Sequence, residues 1–200
     1  MPDKTQQKSL DQDQEYILAV YSFYTDEAEH TFLQYTAACA VFYYLTKEGF
    51  FEYNLDELLV YDYKESRRYI WEAKKFMADI NILRDHGYLI RVRSRSKTYR
   101  DVNAHQCSVA GHAYIKNRQK NDSGFSKKTG EIKKALSCSK GHLFEVHLED
   151  AGPQLVCERN IKECVRVVPI EGFLKDLTVD EKSITPGTES KYKQYEPFFI

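Results

Sequence analysis

Ile82-Leu83-Arg84-Asp85-His86-Gly87-Tyr88-Leu89-Ile90-Arg91-Val92-Arg93-Ser94-Arg95 is the stretch on which the fold reading turns. Before Gly87 the apolar residues recur at helical spacing, and after it they alternate with arginines. Upstream, Ile70, Ala73, Met77 and Ile80 line one side of an expected helix running from about Lys64 to His86, with Tyr69, Phe76 and Leu83 beside them. Its opposite side carries Arg67, Arg68, Trp71, Lys74 and Lys75, and Gly87 ends it. Downstream, Ile90 and Val92 alternate with Arg91, Arg93 and Arg95, so the three arginines share one face of a strand. Ser94 to Thr98 reads as a turn and Tyr99 to Cys107 as the return strand of a hairpin.

Further out the punctuation is mixed. Thr25-Asp26-Glu27 supplies a cap and acidic first turn for a helix expected to reach Lys47 and close at Gly49. Tyr16 to Tyr24 is apolar and aromatic, and periodicity leaves strand and helix open. Phe50 to Tyr53 reads as extended, and Asn54 with Glu57 caps a short helix. Ser108 to about Lys120 is again helical. Residues 1–14 read as a mobile tail, 15–120 as the main domain, 121–137 as a linker, 138–176 as a small β-rich module of three short strands, and 177–200 as a polar tail.

The expected order from Glu29 to Lys120 is helix, short strand, short helix, long helix, hairpin, helix. In that order, and in Ile82 to Val92, the chain resembles the winged helix-turn-helix superfamily, particularly PadR, MarR and ArsR-like regulators. Cys107-Ser108-Val109-Ala110-Gly111-His112-Ala113-Tyr114 is similar to the Leu-Thr-x-x-Gly-x-x-Tyr pattern that leaves the wing in those families, with Cys and Ser replacing Leu and Thr. The expected fold class is therefore α+β, a winged helix-turn-helix domain followed by a small β-rich module. The resemblance implies sequence-specific binding of duplex DNA by a transcriptional regulator, as a homodimer reading two half-sites.

Charge supports that expectation independently. The net charge of −1 conceals strong segregation: residues 1–63 carry −9, 64–100 carry +7, 101–143 carry +5 and 144–200 carry −4. Such asymmetry marks either a polyanion-binding surface or a chain whose parts attract each other. On the first reading Ser66, Arg67, Arg68, Trp71, Lys74 and Lys75 would act from a recognition helix in the major groove. Arg91, Arg93, Arg95, Lys97 and Arg100 would act from the wing on backbone or minor groove. The plainer readings are a solvated helix face, a core position for Trp71, and an edge strand charged against aggregation. Two other functions stay open: a replication, partition or mobile-element DNA-binding protein, and a module docking an acidic protein partner.

Cys138, His142, Cys157 and Cys164 offer four zinc-type ligands in the β-rich segment. Their spacing lacks the Cys-x2-Cys pairs of a strong zinc signal, so ordinary buried cysteines are the plainer reading and no cofactor is required. No nucleotide, hydrolase or metalloprotease motif occurs, and an enzyme is not expected. With 42% apolar residues the chain can bury a core, and its longest apolar run, Ala37 to Leu45, is too short to span a bilayer. Five cysteines, an odd number, do not form a disulfide framework, and the N-terminus lacks an apolar leader, so a cytoplasmic protein is expected.

Overall fold

The computed structural model describes residues 9–26, 31–55, 60–63, 68–71, 74–94, 102–149, 152–157, 167–172 and 174–176. The first helix, α1 (Gln12–Tyr24), takes in the last three residues of the expected tail, of which residues 1–8 lie outside the described residues. Asp11 Oδ1 accepts from the Gln14 N–H at 2.8 Å, and Gln14 Oε1 accepts in return from the Asp11 N–H at 3.1 Å. This capping box fixes the start. Ile17 through Tyr21 are all fully buried, so the middle of α1 is apolar on every side. That is why its periodicity could not separate helix from strand.

A two-residue strand, β1 (Leu33–Gln34), leads into α2 (Tyr35–Lys47). The second helix therefore starts ten residues after Thr25, whose hydroxyl instead donates to the Tyr21 carbonyl at the end of α1. Ala38, Cys39, Val41, Phe42 and Leu45 pack α2 into the core, and Gly49, at φ 77°, closes it as expected.

The long helix expected over Lys64 to His86 is not continuous. A hairpin, β2 (Val60–Tyr63) and β3 (Arg68–Trp71), precedes a shorter α3 (Lys74–Asp85). Tyr69-Ile70-Trp71 is aromatic and β-branched, a composition that suits a strand, and the i, i+3, i+7 pattern alone did not reveal the switch. Phe76, Asp79, Ile80 and Leu83 face inward, and Gly87, at φ 74°, ends the helix.

The hairpin β4 (Leu89–Ser94) and β5 (Val102–Cys107) follows in antiparallel register from Leu89↔Cys107 to Ser94↔Val102. With β1 it forms a sheet in the order β1-β5-β4. Ser108 then caps α4 (Val109–Asn121): its Oγ accepts from the Gly111 N–H at 3.0 Å and donates to the Gly87 carbonyl at 2.7 Å. The Ser108-x-x-Gly111 segment is thus a helix cap tied to the turn before the hairpin.

The segment expected as a linker is mostly helix α5 (Ser123–Ala135). Its Asn, Asp and Ser cluster is the boundary between two helices, with Asp122 Oδ1 accepting from the Phe125 N–H at 2.9 Å. Phe125, Thr129, Ile132 and Leu136 form a buried stripe at helical spacing. Three antiparallel strands follow in order: β6 (Glu145–Glu149), β7 (Gly152–Val156) and β8 (Val167–Pro169). The last strand, β9 (Leu174–Asp176), pairs parallel with β2.

The protein is an α+β fold of five helices and three three-stranded sheets among the described residues. Phe144, Leu155, Cys157 and Ile170 of the C-terminal part share one core with Ile17, Phe42, Phe76 and Ile132. Among the described residues no helix is long and apolar enough to cross a membrane.

Candidate nucleic-acid interface and candidate metal centre

The residues expected to meet DNA do not lie on one helix. Arg68 and Trp71 are on strand β3, opposite Tyr63 and Val60, which removes them from a recognition helix. Ser66, Arg67, Arg95, Lys97 and Arg100 lie outside the described residues. Lys74 and Lys75 are exposed on the first turn of α3. Lys75 is engaged within the chain: its Nζ is 3.5 Å from Asp13 of α1 and 4.9 Å from the centre of the Tyr53 ring.

Arg91 is exposed on β4, which is an outer strand of its sheet, and Arg93 lies two residues further along it, paired with Asn103. The Ser94↔Val102 pair means that residues 95–101 connect the two strands. Arg95, Lys97 and Arg100 belong by sequence to that connection.

Part of the charge segregation is satisfied internally. Arg118 of α4 donates to Glu15 of α1 through Nε at 2.8 Å and Nη2 at 3.0 Å, and Tyr114 donates to the same carboxylate. Glu15 is buried although it is charged. Two further centres escaped the sequence reading. Asp79 is buried and accepts from Tyr53 Oη at 2.8 Å and Gln14 Nε2 at 3.2 Å. His105, opposite Arg91, is buried beside Tyr21, and among the described residues neither ring nitrogen has a hydrogen-bond partner. Burial, reinforced by the charges of Arg84 and Arg91, pushes its pKa down to about 4. Helical stripes and strand alternation identify buried positions but not which polar residue will occupy them.

A groove of about 480 Å³ opens between α1, α4 and α5, edged by His112, Lys116, Gln119, Ser126 and Lys133. The region was legible as basic, but the groove requires helix α5, where a linker had been expected, beside the expected helix α4.

Three of the four expected metal-type ligands come together. Cys138 follows α5 in a tight turn: its N–H donates to the His142 carbonyl, and the Gly141 N–H donates to the Cys138 carbonyl, both at 2.8 Å. Gly141 takes φ 81°, and Ser137 bridges Leu143, so the turn folds Cys138 and His142 side by side. Cys157, at the end of β7, brings Sγ to 3.9 Å from His142 Nδ1. One ligand atom from each of the three residues lies within 4.8 Å of the others, with both cysteines buried and His142 half-buried. Cys164 lies outside the described residues. Among the described residues Cys39, Cys107, Cys138 and Cys157 form no disulfide with one another. Cys39 is a core residue of α2 whose thiol burial pushes far up, away from thiolate chemistry.

Fold and site together define a mixed helix-and-sheet protein with an arginine-bearing hairpin and a Cys-His-Cys cluster. A family model described as the uncharacterized protein MJ1567 family matches residues 13–164, and the chain belongs to that family. No curated protein and no solved structure matches the chain.

Proposed function

We propose that the chain is a winged-helix protein that binds duplex DNA, as a transcriptional regulator acting as a homodimer. The observation that carries this reading is the β4–β5 register, which places Arg91 and Arg93 on an outer strand leading to a connection that contains Arg95, Lys97 and Arg100. One or two charges suffice to guard a sheet edge against pairing. Five cations within residues 91–100 exceed that need and supply the positive charge that phosphate contacts require. The helix-hairpin-helix order of α3, β4, β5 and α4 supports a wing, and the third strand β1 anchors the hairpin to α2.

The shorter α3 changes the helix contribution. Lys74 takes the leading role at its exposed N-terminal turn, while Lys75 is partly neutralised by Asp13. A dimer would supply two such wings to two half-sites.

Fluorescence anisotropy with random-sequence duplex DNA across a salt series tests the reading, comparing wild type with the Arg91→Ala/Arg93→Ala/Arg95→Ala protein. About six phosphate contacts give a log–log salt slope near −5. A steep slope that flattens in the triple variant places the wing on phosphate. Absence of binding at low salt, with both proteins folded by circular dichroism, sinks the proposal. The ion pairs Asp13–Lys75 and Glu15–Arg118 would then stand as the main use of the charge segregation.

A further inference from the structure

We infer that Cys138, His142 and Cys157 form a zinc site that clamps the turn after α5 to the end of β7. The inference is independent of DNA binding. Two sulfurs and an imidazole nitrogen gathered from segments 15 residues apart are a soft donor set of the kind zinc takes. Among the described residues no carboxylate belongs to the cluster, and its soft donors disfavour magnesium and calcium.

Geometry fits after a small contraction. Tetrahedral zinc with bonds of about 2.3 Å to sulfur and about 2.0 Å to nitrogen holds its ligand atoms roughly 3.5–3.8 Å apart. Cys157 Sγ and His142 Nδ1 stand at 3.9 Å, and all three ligand atoms lie within 4.8 Å of one another. The Cys138–His142 turn is held by its own backbone hydrogen bonds, so two ligands are arranged before metal arrives. On binding, both thiols release their protons to solvent, and the two thiolates balance the charge of the cation. Three protein donors leave the fourth tetrahedral position for water or another ligand.

The clamp has a mechanical consequence. Phe144 and Leu155, the first on the strand-side exit of the turn and the second on β7, are fully buried in the core. Joining Cys138 and His142 to Cys157 through zinc would therefore hold the C-terminal sheet against the helices.

The test is metal analysis of the full chain purified under reducing conditions from zinc-supplemented cells, followed by cobalt substitution after chelation. The expected result is about one zinc per chain, and a cobalt protein with a thiolate charge-transfer band and tetrahedral d–d bands. Cys138→Ser, His142→Ala and Cys157→Ser should each lower metal affinity at least about tenfold, whereas Cys39→Ala should leave it unchanged. Should the ligand variants not fold, thiol-labelling of wild type decides: zinc must shield Cys138 and Cys157 but leave Cys39 labelling in denaturant unaltered. Substoichiometric zinc, cobalt without a thiolate band, a Cys138–Cys157 disulfide that persists through purification under reducing conditions, or labelling indifferent to zinc would each overturn the inference.

Discussion

Arg118 holds Glu15 through two nitrogens, Nε at 2.8 Å and Nη2 at 3.0 Å, joining the helix that follows the hairpin to the first helix of the chain. Glu15 is buried, and Tyr114 donates to the same carboxylate, so α1 and α4 are tied by a small network rather than by one pair. Removing the cation alone leaves the carboxylate desolvated. Arg118→Ala should therefore destabilise the fold by about 2 kcal/mol, reduced from a fully buried pair because Arg118 is partly exposed. Glu15→Gln, which keeps an acceptor, should cost less. Urea unfolding midpoints measure both, and equal losses would show that the charge itself contributes little.

Gly111 separates the effects of space and backbone. A Cβ there would lie 2.5 Å from the Tyr88 carbonyl oxygen and 2.7 Å from Cys107 Sγ, so α4 packs on the hairpin at glycine distance. Gly111→Ala should cost about 1–3 kcal/mol through this overlap. Gly130 on α5 has nothing within 4 Å of the same position. Gly130→Ala should stabilise the protein by about 0.5–1 kcal/mol, because alanine loses less backbone freedom in a helix. Opposite signs in thermal or urea unfolding support the packing described here; a harmless Gly111→Ala would contradict it.

His105 makes stability depend on acid pH. Burial holds it neutral in the fold down to about pH 4, whereas the unfolded chain protonates near 6.5. Between those values the unfolded state binds more protons, so stability falls as pH is lowered from about 6.5 towards 4. The loss at the bottom of that window is of order 3 kcal/mol from this group. His105→Leu should flatten the profile there. It should also be neutral or stabilising at pH 7, since both ring nitrogens are buried without partners among the described residues. Urea titrations at a series of pH values read this directly, and an unchanged acid limb in the variant would refute it.

The two lysines of α3 should differ in DNA titrations if the proposed function is right. Lys75 is already paired with Asp13, so it has less charge to offer a phosphate than Lys74 or Arg91. Lys75→Ala should lower affinity by less than Arg91→Ala, and Arg91→Ala should reduce the salt slope by about one unit. Equal effects from the two variants would place DNA across α3 rather than along the hairpin.

Local pattern was enough for the Gly49 and Gly87 helix ends and the β4–β5 hairpin, and for the presence of three C-terminal strands though not for the bounds of the second. Each rests on interactions between near neighbours in the chain, or on alternation that follows from strand geometry. The Cys138, His142 and Cys157 donors were equally legible as residue types.

Other features depended on the whole fold. The Ile17–Tyr21 stretch of the first helix is surrounded by core, so it carries no polar face by which to recognise a helix. Tyr69, Ile70 and Trp71 fit helical spacing and β propensity alike, and pairing with β2 decides for strand. The Asn121–Gly124 cluster reads as a linker until Phe125 stacks on Tyr16 at 5.5 Å and the following turns find a core to enter.

By itself the sequence determined the α+β composition, the basic middle of the chain and the donor types of the candidate metal cluster, because those follow from residue chemistry and short-range spacing. Only the tertiary structure decided which charges pair inside the protein and which face outward. It alone brought Cys157 to the Cys138–His142 turn, because contacts between distant segments exist only once a shared hydrophobic core has drawn them together.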